Sequence, residues 1–454
     1  MKVVIIGNGK VGGNLASTLA EEGHSITVVD IKGDALKRIQ NSQDVMTIEG
    51  NGATIDVQRE AGVGKAGLLI ATTPYDELNM LCCLLAKRLG CKKTISRVRN
   101  PAYYSQIDVV KDELGLSMVI NPELTTAEEF ARVLIFPTAA KVEVFEKGRI
   151  ELVEHKLAEN STLDGLSLAE IYKRTNIRFL ICAVQRDSKI FVPTGDFILR
   201  AGDRINIAAS HKDLERFFRM CGALKDKIKT VMIVGGGKIC YYLSRQLLSL
   251  GMRVKIIEQD YTRCTQLAEL LPKATVIHGD GTDQDLLQEE GIDDADSFVA
   301  ITGIDEENII MSLYAKMNTG AKVVTKVNRD SYVDLASQIG LDTIISPKYI
   351  TTSNILSYVR SQSAALDSNI ESLYHLVSNK VEAIEFKVRE NIPGVVGIKL
   401  ASMALKKNIL ICGIVRKRDI IIPSGMDTIE IGDSVVVVCK EHRISELKDI
   451  LDKS

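Results

Sequence analysis

Three glycines near the start of the chain have the spacing of a phosphate-binding turn. Gly7, Gly9 and Gly12 form a G-x-G-x-x-G pattern that directly follows the apolar residues 3–6. In such a turn the first glycine permits the bend, the second lets a pyrophosphate approach the backbone, and the third lets a helix lie close to the strand. The N–H groups and positive dipole end of that helix then hold the phosphate oxygens. The candidate phosphate-binding residues are Gly7, Asn8, Gly9, Lys10, Val11 and Gly12.

An acidic residue supplies the second part of a dinucleotide site. The apolar residues 26–29 end in Asp30, about 20 residues after the glycine turn, where a carboxylate accepts hydrogen bonds from an adenosine ribose. Asp30 also repels a ribose 2′-phosphate, which favours NAD over NADP, although Lys32 offsets part of that repulsion. The alternative is a nucleotide-free unit whose glycines serve only packing.

Strands and helices must alternate to position these residues. The helical stripe Val11, Leu15 and Leu19 follows the first apolar run. The pattern continues with short apolar runs separated by helical segments, which predicts a doubly wound parallel sheet with ligands at the carboxyl ends of its strands. The predicted strands of this unit are residues 3–6, 26–29, 45–48, 68–71 and 94–98.

The arrangement occurs twice, at an offset of about 230 residues. Gly235-Gly-Gly237 repeats the first glycine turn, and Glu258 repeats Asp30. Asn51-Gly52 is repeated by Asp280-Gly281, again at a predicted strand end. Pro122 and Pro347 each begin a helical stretch. The fold class predicted is therefore α/β, with two doubly wound Rossmann-like parallel-sheet domains.

A small α+β domain follows each Rossmann-like domain. Its strands are short, and it contains a turn-rich segment, residues 193–203, that recurs as residues 423–433 and ends in Gly-Asp. Charged amphipathic helices are predicted at residues 213–220 and 444–451, and residues 221–229 form the linker between the copies. The predicted domains are residues 1–136, 137–221, 228–360 and 370–454.

Composition excludes several classes of function. The chain has 454 residues, of which 45% are hydrophobic and 26% charged, and a net charge of −2, so nucleic-acid binding is not expected. We expect neither a signal peptide nor a membrane span, which predicts a cytoplasmic protein, at most peripheral to a membrane. Nine cysteines without C-x-x-C spacing predict reduced, buried thiols and no metal site.

Taken together, these motifs resemble the tandem RCK (regulator of K⁺ conductance, or KTN) family over essentially the whole chain. The resemblance implies that the Rossmann domains bind NAD(H), or ATP and ADP. It further implies that the chain is a regulatory subunit which gates a membrane-embedded potassium translocation subunit. Ring assemblies in the family contain eight Rossmann units, so we expect a homotetramer.

The same resemblance assigns roles at the remaining strand ends. Asn51 and Gly52 would lie near the adenosine, Thr72 and Thr73 would approach the nucleotide, and Arg97 would offer a cation to phosphate. Two alternatives remain open: Arg97 in a surface ion pair, and the threonines as caps of the following helix. The corresponding residues of the second copy are Gly235, Gly236, Gly237, Lys238, Ile239, Glu258, Asp280, Gly281, Thr302 and Lys326.

The second copy departs from the first at three positions. Cys240 stands where the first copy has Gly12, Asp280 replaces Asn51, and Lys326 replaces Arg97. We expect a second nucleotide site with a different ligand preference, because a lysine lacks the guanidinium fork. Cys240 is either a redox sensor or a small residue tolerated at a tight contact.

Two other functions compete with the regulatory one. An NAD-dependent oxidoreductase would need a proton donor or base beside the nicotinamide, and the six histidines share no motif. A purely structural partner would carry vestigial sites. The duplication favours a non-enzymatic sensor, because two linked ligand-binding modules can report occupancy through their relative angle.

Overall fold

The computed structural model describes most of the chain. It covers residues 1–42, 44–136, 138–139, 141–145, 149–175, 177–187, 189–223, 227–341, 343–363, 370–376, 381–417, 419–440 and 444–452. In these ranges the predicted fold class is confirmed, with two parallel sheets and an antiparallel sheet after each. Across the same ranges, no helix has both the length and the apolar character required to cross a membrane.

The first parallel sheet has the strand order β3-β2-β1-β4-β5-β6. Its strands are β1 (Lys2–Ile6), β2 (Ser25–Asp30), β3 (Met46–Glu49), β4 (Leu68–Ala71), β5 (Lys93–Arg97) and β6 (Met118–Ile120). Its helices are α1 (Lys10–Glu21), α2 (Gly33–Ser42), α3 (Ile55–Glu60), α4 (Asp76–Leu89), α5 (Pro101–Tyr104), α6 (Ile107–Val110) and α7 (Pro122–Ile135). Residues 3–6 of β1 are buried and continuously apolar, as is typical of a central strand that is covered on both faces. The strand order changes direction between β1 and β4, and doubly wound sheets bind their ligands at the carboxyl ends of the strands at this point.

The first antiparallel sheet has the order β10-β9-β11-β8-β7. Its elements are β7 (Lys141–Phe145), β8 (Ile150–Lys156), α8 (Leu168–Arg174), β9 (Phe179–Arg186), β10 (Lys189–Phe191), β11 (Arg204–Ala209) and α9 (His211–Met220). The predicted Gly-Asp motif has a structural role here. Asp203, 1% exposed, accepts two hydrogen bonds from the Arg186 guanidinium at 2.8 and 2.7 Å. Asp433 and Arg416 repeat this pair in the second copy.

The second parallel sheet repeats the first, with the order β14-β13-β12-β15-β16-β17. Its strands are β12 (Thr230–Val234), β13 (Arg253–Glu258), β14 (Thr275–His278), β15 (Ser297–Ala300), β16 (Lys322–Lys326) and β17 (Ile344–Ile345). Its helices are α10 (Lys238–Ser249), α11 (Tyr261–Leu270), α12 (Gln284–Glu289), α13 (Asp305–Asn318), α14 (Asp330–Gln338) and α15 (Pro347–Ser363). Pro122 and Pro347 are the first residues of α7 and α15, as predicted.

The second antiparallel sheet has the order β18-β19-β22-β20-β21. Its strands are β18 (Ile370–Leu376), β19 (Val381–Lys387), β20 (Ile409–Arg416), β21 (Asp419–Ile421) and β22 (Ser434–Lys440). The predicted final α-helix at residues 444–451 is wrong, because only a 3₁₀ turn forms, Leu447–Ile450. Its two buried residues are three apart, which suits the 3₁₀ period, and Leu451 leaves the turn to bridge Leu405.

The two Rossmann-like units exchange their last helices. α7 follows the first sheet but packs with α10 on the second sheet, where Phe130 and Leu134 join the core of that unit. α15 follows the second sheet but packs with α1 on the first, where Ile355 and Val359 are buried. Each sheet therefore has one face that only the other unit completes.

Polar contacts fix the exchanged helices. Asn121, the residue before α7, donates from Nδ2 to the Tyr242 hydroxyl at 2.9 Å. Asn14 on α1 donates from Nδ2 to the Thr352 hydroxyl on α15 at 2.8 Å. Because these groups are buried or half-buried, each bond also satisfies a polar atom that would otherwise lose its hydration. The exchange is therefore specific in register.

The two antiparallel sheets pack face to face. One apolar cluster combines Phe145 and Cys182 of the first sheet with Cys412 and Val436 of the second. A half-buried ion cluster adds a third connection, because the Arg360 guanidinium on α15 donates to Glu22 at 3.1 Å and to Glu382 at 3.2 Å. The first Rossmann-like unit, the exchanged helix and the second small domain are thus joined at one point.

We expect Phe130→Ala to lower the free energy of unfolding by about 3–5 kcal/mol, because the ring is fully buried in the other unit's core. Chemical denaturation of the full chain measures this change. The control Val109→Ala, at a side chain that is 80% exposed, should change stability by less than about 0.5 kcal/mol. Equal effects of the two substitutions would contradict the exchanged packing.

Candidate functional site

The first glycine turn is shaped by close backbone contacts. Gly7 has φ +97°, a left-handed conformation that favours glycine. A Cβ atom on Gly12 would lie 1.9 Å from the Gly7 carbonyl oxygen, so the start of α1 touches the turn. A Cβ on Gly9 would meet nothing within 4 Å. The turn therefore leaves open space at Gly9, where a pyrophosphate would approach the backbone.

Asp30 lies beside this turn at the end of β2. One carboxylate oxygen accepts a hydrogen bond from the Asn8 backbone N–H at 2.6 Å, and the other from Lys32 at 2.9 Å. Each oxygen keeps a lone pair that a ribose hydroxyl could use. Glu49, paired with Asp30 in register, adds a second carboxylate and lies against Gly33. This edge of the site is therefore acidic.

An asparagine that the sequence reasoning missed organises the ends of β4 and β5. Asn79 on α4 is fully buried and accepts hydrogen bonds from the Thr73 N–H and hydroxyl at 2.8 and 2.7 Å. Its amide group donates to the carbonyls of Thr73 and Arg97. The N-cap of α4 is Tyr75, so the threonines do not cap this helix. The Thr72 hydroxyl instead donates to the carbonyls of Ile6 and Gly7.

Arg97 is directed inward rather than into a surface ion pair. Its guanidinium donates to the Thr73 carbonyl at 2.7 Å, and burial, with nearby Arg99, lowers its pKa below the usual arginine value. Arg97 Nε and Asn8 Oδ1 are buried without a hydrogen-bond partner in the described part of the chain. Buried polar atoms normally have partners, and the Arg97 Nε–H is a donor that fits a phosphate oxygen. Asn8 Oδ1 is an acceptor, so its partner would be a donor such as a ribose hydroxyl.

Asn51 and Gly52 form the turn after β3. The Asn51 side chain accepts the Ala53 N–H at 3.0 Å, and Gly52 lies against Ile6. Asp280 and Gly281 occupy the same turn of the second copy. Thr282 donates to Asp280 from both its N–H and its hydroxyl, and these bonds lower the pKa of the carboxyl. The side chains of Asn51 and Asp280 therefore stabilise their own turns through hydrogen bonds within the turn.

The second glycine turn repeats the first at backbone level. Gly235 has φ +106°, and a Cβ on Gly237 would again meet nothing within 4 Å. Lys238 and Ile239 begin α10, as Lys10 and Val11 begin α1. At the ends of β15 and β16, Asn308 takes the place of Asn79. It accepts the Thr302 N–H at 2.8 Å and donates to the Lys326 carbonyl at 3.1 Å. The two sites thus share one framework.

The change from Gly12 in the first copy to Cys240 in the second is accompanied by a change at a neighbouring position, from Thr72 to Ile301. The first copy places the Thr72 hydroxyl beside Gly12, whereas the second places Ile301 and Cys240 in one apolar cluster. Cys240 is fully buried, and burial raises the pKa of its thiol to about 12. A redox sensor needs an accessible thiolate, so this environment favours a packing role.

The second ribose position carries Arg263 and Tyr261, which the sequence reasoning missed, beside the predicted Glu258. Glu258 accepts the Gly236 N–H at 2.5 Å and the Asp260 N–H at 2.8 Å, as Asp30 does in the first copy. Arg263 adds a cation, since its Nε donates to the Gly236 carbonyl at 2.6 Å. Tyr261 and His278 lie at the rim of the site. No standard spacing marks Arg263 or Tyr261, so only the fold identifies these two.

Lys326 connects the second site to the first. Its ammonium donates to the Ile301 carbonyl at 3.2 Å, and burial lowers its pKa to about 8. Lys10 of the first unit lowers that pKa further, whereas Asp305 and Glu123 oppose the change. Charges from both units therefore act on the Lys326 ammonium group. We call this boundary between the Rossmann-like units, where Lys10, Glu123 and Lys326 interact, the seam.

Comparison with known proteins identifies both halves of each copy. The TrkA-N domain family model matches residues 3–122 and 231–347, and the TrkA-C domain model matches residues 152–222 and 383–452. A Trk system potassium uptake protein TrkA homolog of Archaeoglobus fulgidus is 34% identical over 99% of this chain and 100% of that protein. The Trk system potassium uptake protein TrkA of Halomonas elongata is 33% identical over 99% and 98%, respectively.

Solved structures share the fold at lower sequence identity. The GsuK channel has a TM-score of 0.65 and 18% identity, over 97% of this chain and 77% of that one. GsuK bound to NAD gives 0.63 and 18% over the same shares. GsuK bound to ADP gives 0.51 and 17%, over 79% of this chain and 68% of that one. These likenesses support the predicted tandem architecture.

We expect Gly9→Val and Gly12→Val to separate binding from folding. Valine at position 9 should fit the fold but obstruct the phosphate path, abolishing nucleotide binding at the first site. Valine at position 12 should clash with the Gly7 carbonyl and lower the free energy of unfolding by about 1–3 kcal/mol. Thermal unfolding and calorimetric titration measure the two effects. Unchanged nucleotide affinity in Gly9→Val would place the ligand elsewhere.

Proposed function

This chain belongs to the TrkA family of potassium uptake proteins, and we propose that it is a nucleotide-sensing regulatory subunit that gates a membrane potassium transporter. The observation that carries the proposal is the pair of open glycine cradles in two units joined through exchanged helices. The relatives are named for potassium uptake, which supports the transport role. Gating is the part that we propose.

The proposed ligands are NAD(H) and, alternatively, ATP or ADP. GsuK, which shares the fold, has structures bound to NAD and to ADP. In the first site, Asp30 and Glu49 would disfavour a ribose 2′-phosphate by charge repulsion, so NAD is expected over NADP. When bound, the dinucleotide or mononucleotide supplies phosphate charge to the glycine turns; the protein orients it and performs no reaction on it.

The position of the sites suggests how a ligand would act on the transporter. A phosphate near Arg97 or Lys326 would bring negative charge to the seam between the Rossmann-like units, where Lys10 and Glu123 also act. A ligand shifts a conformational equilibrium only by its difference in affinity for the two states. Couplings of about 1–3 kcal/mol are typical, and they would suffice to change gating 5- to 150-fold.

We propose an integral membrane potassium transporter subunit, TrkH-like, as the partner. The chain would lie in the cytoplasm, peripheral at the inner face of the cell membrane, and assemble as a homotetramer. The domain bounds predicted from the sequence, 1–136, 137–221, 228–360 and 370–454, are part of the same proposal. Nucleic acid is not among the expected partners.

An NAD-dependent oxidoreductase remains the competing function. Turnover of NADH with a small carbonyl substrate would support it and would contradict a purely regulatory role. The names of the relatives are consistent with a non-enzyme, since they describe potassium uptake rather than a reaction. Reconstitution with the transporter subunit in vesicles, with potassium flux measured with and without nucleotide, tests the gating directly.

We expect Asp30→Ala to weaken NAD binding at the first site about ten- to hundredfold, because hydrogen bonds to a charged group contribute about 1.5–3 kcal/mol. Isothermal titration calorimetry measures this change. Asp30→Asn is the matched control, since it keeps an acceptor for the Asn8 N–H and should retain the turn. If neither NAD nor ATP binds the wild-type chain at millimolar concentration, the sensing function is excluded.

Lys326 predicts a pH dependence at the second site. Its pKa of about 8 in the free protein means that the ammonium loses its proton above that pH, whereas a bound phosphate would raise the pKa. Affinity should therefore be constant below pH 8 and fall as pH rises through 8, by at most about tenfold per unit. Titrations in buffers of different ionisation enthalpy measure the linked proton uptake.

Lys326→Arg is the control for this dependence, because arginine stays protonated over the whole range. The nucleotide affinity of that variant should not change between pH 7 and about 9 through titration of residue 326. An identical decline in the wild type and in Lys326→Arg would assign the titration to another group.

A further inference from the structure

The rim of the second site carries an aromatic pair that the first site lacks. Tyr261, the first residue of α11, is 71% exposed. Its ring centroid lies 5.5 Å from that of His278, at an interplanar angle of 80°. At that exposure the tyrosine ring keeps aromatic surface open to a ligand in addition to its edge-to-face contact with His278. The pair therefore places an accessible aromatic ring beside the site.

Hydrogen bonds hold the His278 ring and the start of the helix that carries Tyr261. His278 ends β14 and donates from Nε2 to the Gln259 carbonyl at 3.1 Å. Tyr261 follows Asp260, whose side chain caps α11 by accepting the Arg263 N–H at 3.1 Å. These bonds fix the histidine ring and the start of α11 before any ligand arrives, so only the tyrosine side chain has to be ordered on binding, which reduces the entropy cost.

The pair also lies where a base would lie. Glu258 is paired with His278 in register, and its carboxylate accepts the N–H of Asp260, the residue before Tyr261. A ribose held by Glu258 carries its base on C1′ and its phosphate-bearing C5′ on C4′, the two carbons that flank the ring oxygen. With a phosphate at Gly237, the base would lie at the other end of the sugar from the glycine turn, where Tyr261 and His278 neighbour Glu258 in the chain and in the sheet.

The first copy has different chemistry at the same place. The residue in the position of Tyr261 is Gly33, and the residue in the position of His278 is Glu49. The Glu49 carboxylate lies over Gly33, since a Cβ there would be 2.4 Å from its oxygen. A base in the first site would therefore face a carboxylate, whereas one in the second would face a ring.

We propose that Tyr261, held by His278, is a stacking platform for the purine base of an adenine nucleotide, and that it sets the ligand preference of the second site. This inference rests on the proposed nucleotide-sensing function and adds its base-recognition residue. Base–aromatic stacking contributes about 1–3 kcal/mol, so the platform accounts for about tenfold or more in affinity. The first site has no equivalent and depends on its polar contacts.

The test titrates ADP into full-length Gly9→Val protein, in which only the second site is expected to bind. Tyr261→Ala in that background should weaken ADP about tenfold or more, while Tyr261→Phe should bind nearly as the parent does. Inorganic pyrophosphate, which has no base, should bind the three proteins equally. Tyr261→Ala is expected to fold normally because the side chain is exposed.

Fluorescence supplies a second readout. The chain has no tryptophan, so its emission comes from tyrosine. ADP should quench part of that emission in the parent, and Tyr261→Phe should lose this quenching while it keeps the affinity. Equal ADP affinity in Tyr261→Ala, or equal loss of pyrophosphate binding, would overturn the platform but not the sensing function. Absence of ADP binding in the wild type would overturn both.

Discussion

Burial of one apolar face on each parallel sheet is the constraint on which the structure depends. α1 and α2 contribute to the cover of that face in the first unit, and the cover is completed by α15 from the other end of the chain. α7 does the same for the second sheet. Because apolar burial is the main favourable term in folding, separating the units would expose both faces to water. The relative position of the units is therefore a property of their cores rather than of a surface contact.

This arrangement connects the candidate sites to the seam between the units. Glu123, in the first turn of α7, forms an ion pair with Arg99 at 2.5 Å, just beyond the strand that carries Arg97. The same carboxylate acts on Lys326 of the second unit. A charge brought beside Arg97 or Lys326 would thus act on Glu123, on the helix that holds the units together. The proposed sensing function would use this connection.

Local sequence patterns predicted much of this structure. Both glycine turns, the acids at the ends of β2 and β13, and the prolines that begin α7 and α15 follow from spacing alone. The exchange did not, because an apolar stripe on α7 shows that the helix packs on a sheet but does not identify which sheet. Asn79 and Asn308 were missed because their hydrogen bonds join residues that are distant in sequence. The final helix was wrongly predicted because apolar residues three apart fit both an α-helix and a 3₁₀ turn.

The exchanged helices also set an order of events during synthesis. The first sheet is complete in sequence at Ile120, yet the helix that finishes its core begins at Pro347. At about 5–20 residues per second, a ribosome needs roughly 10–45 seconds to make the intervening chain. Over that interval the newly made first unit exposes the apolar surface that α15 will cover, and α7 lacks the second sheet, on which it packs in the folded chain. The nascent chain is therefore most exposed to aggregation and most dependent on chaperones before its second half emerges.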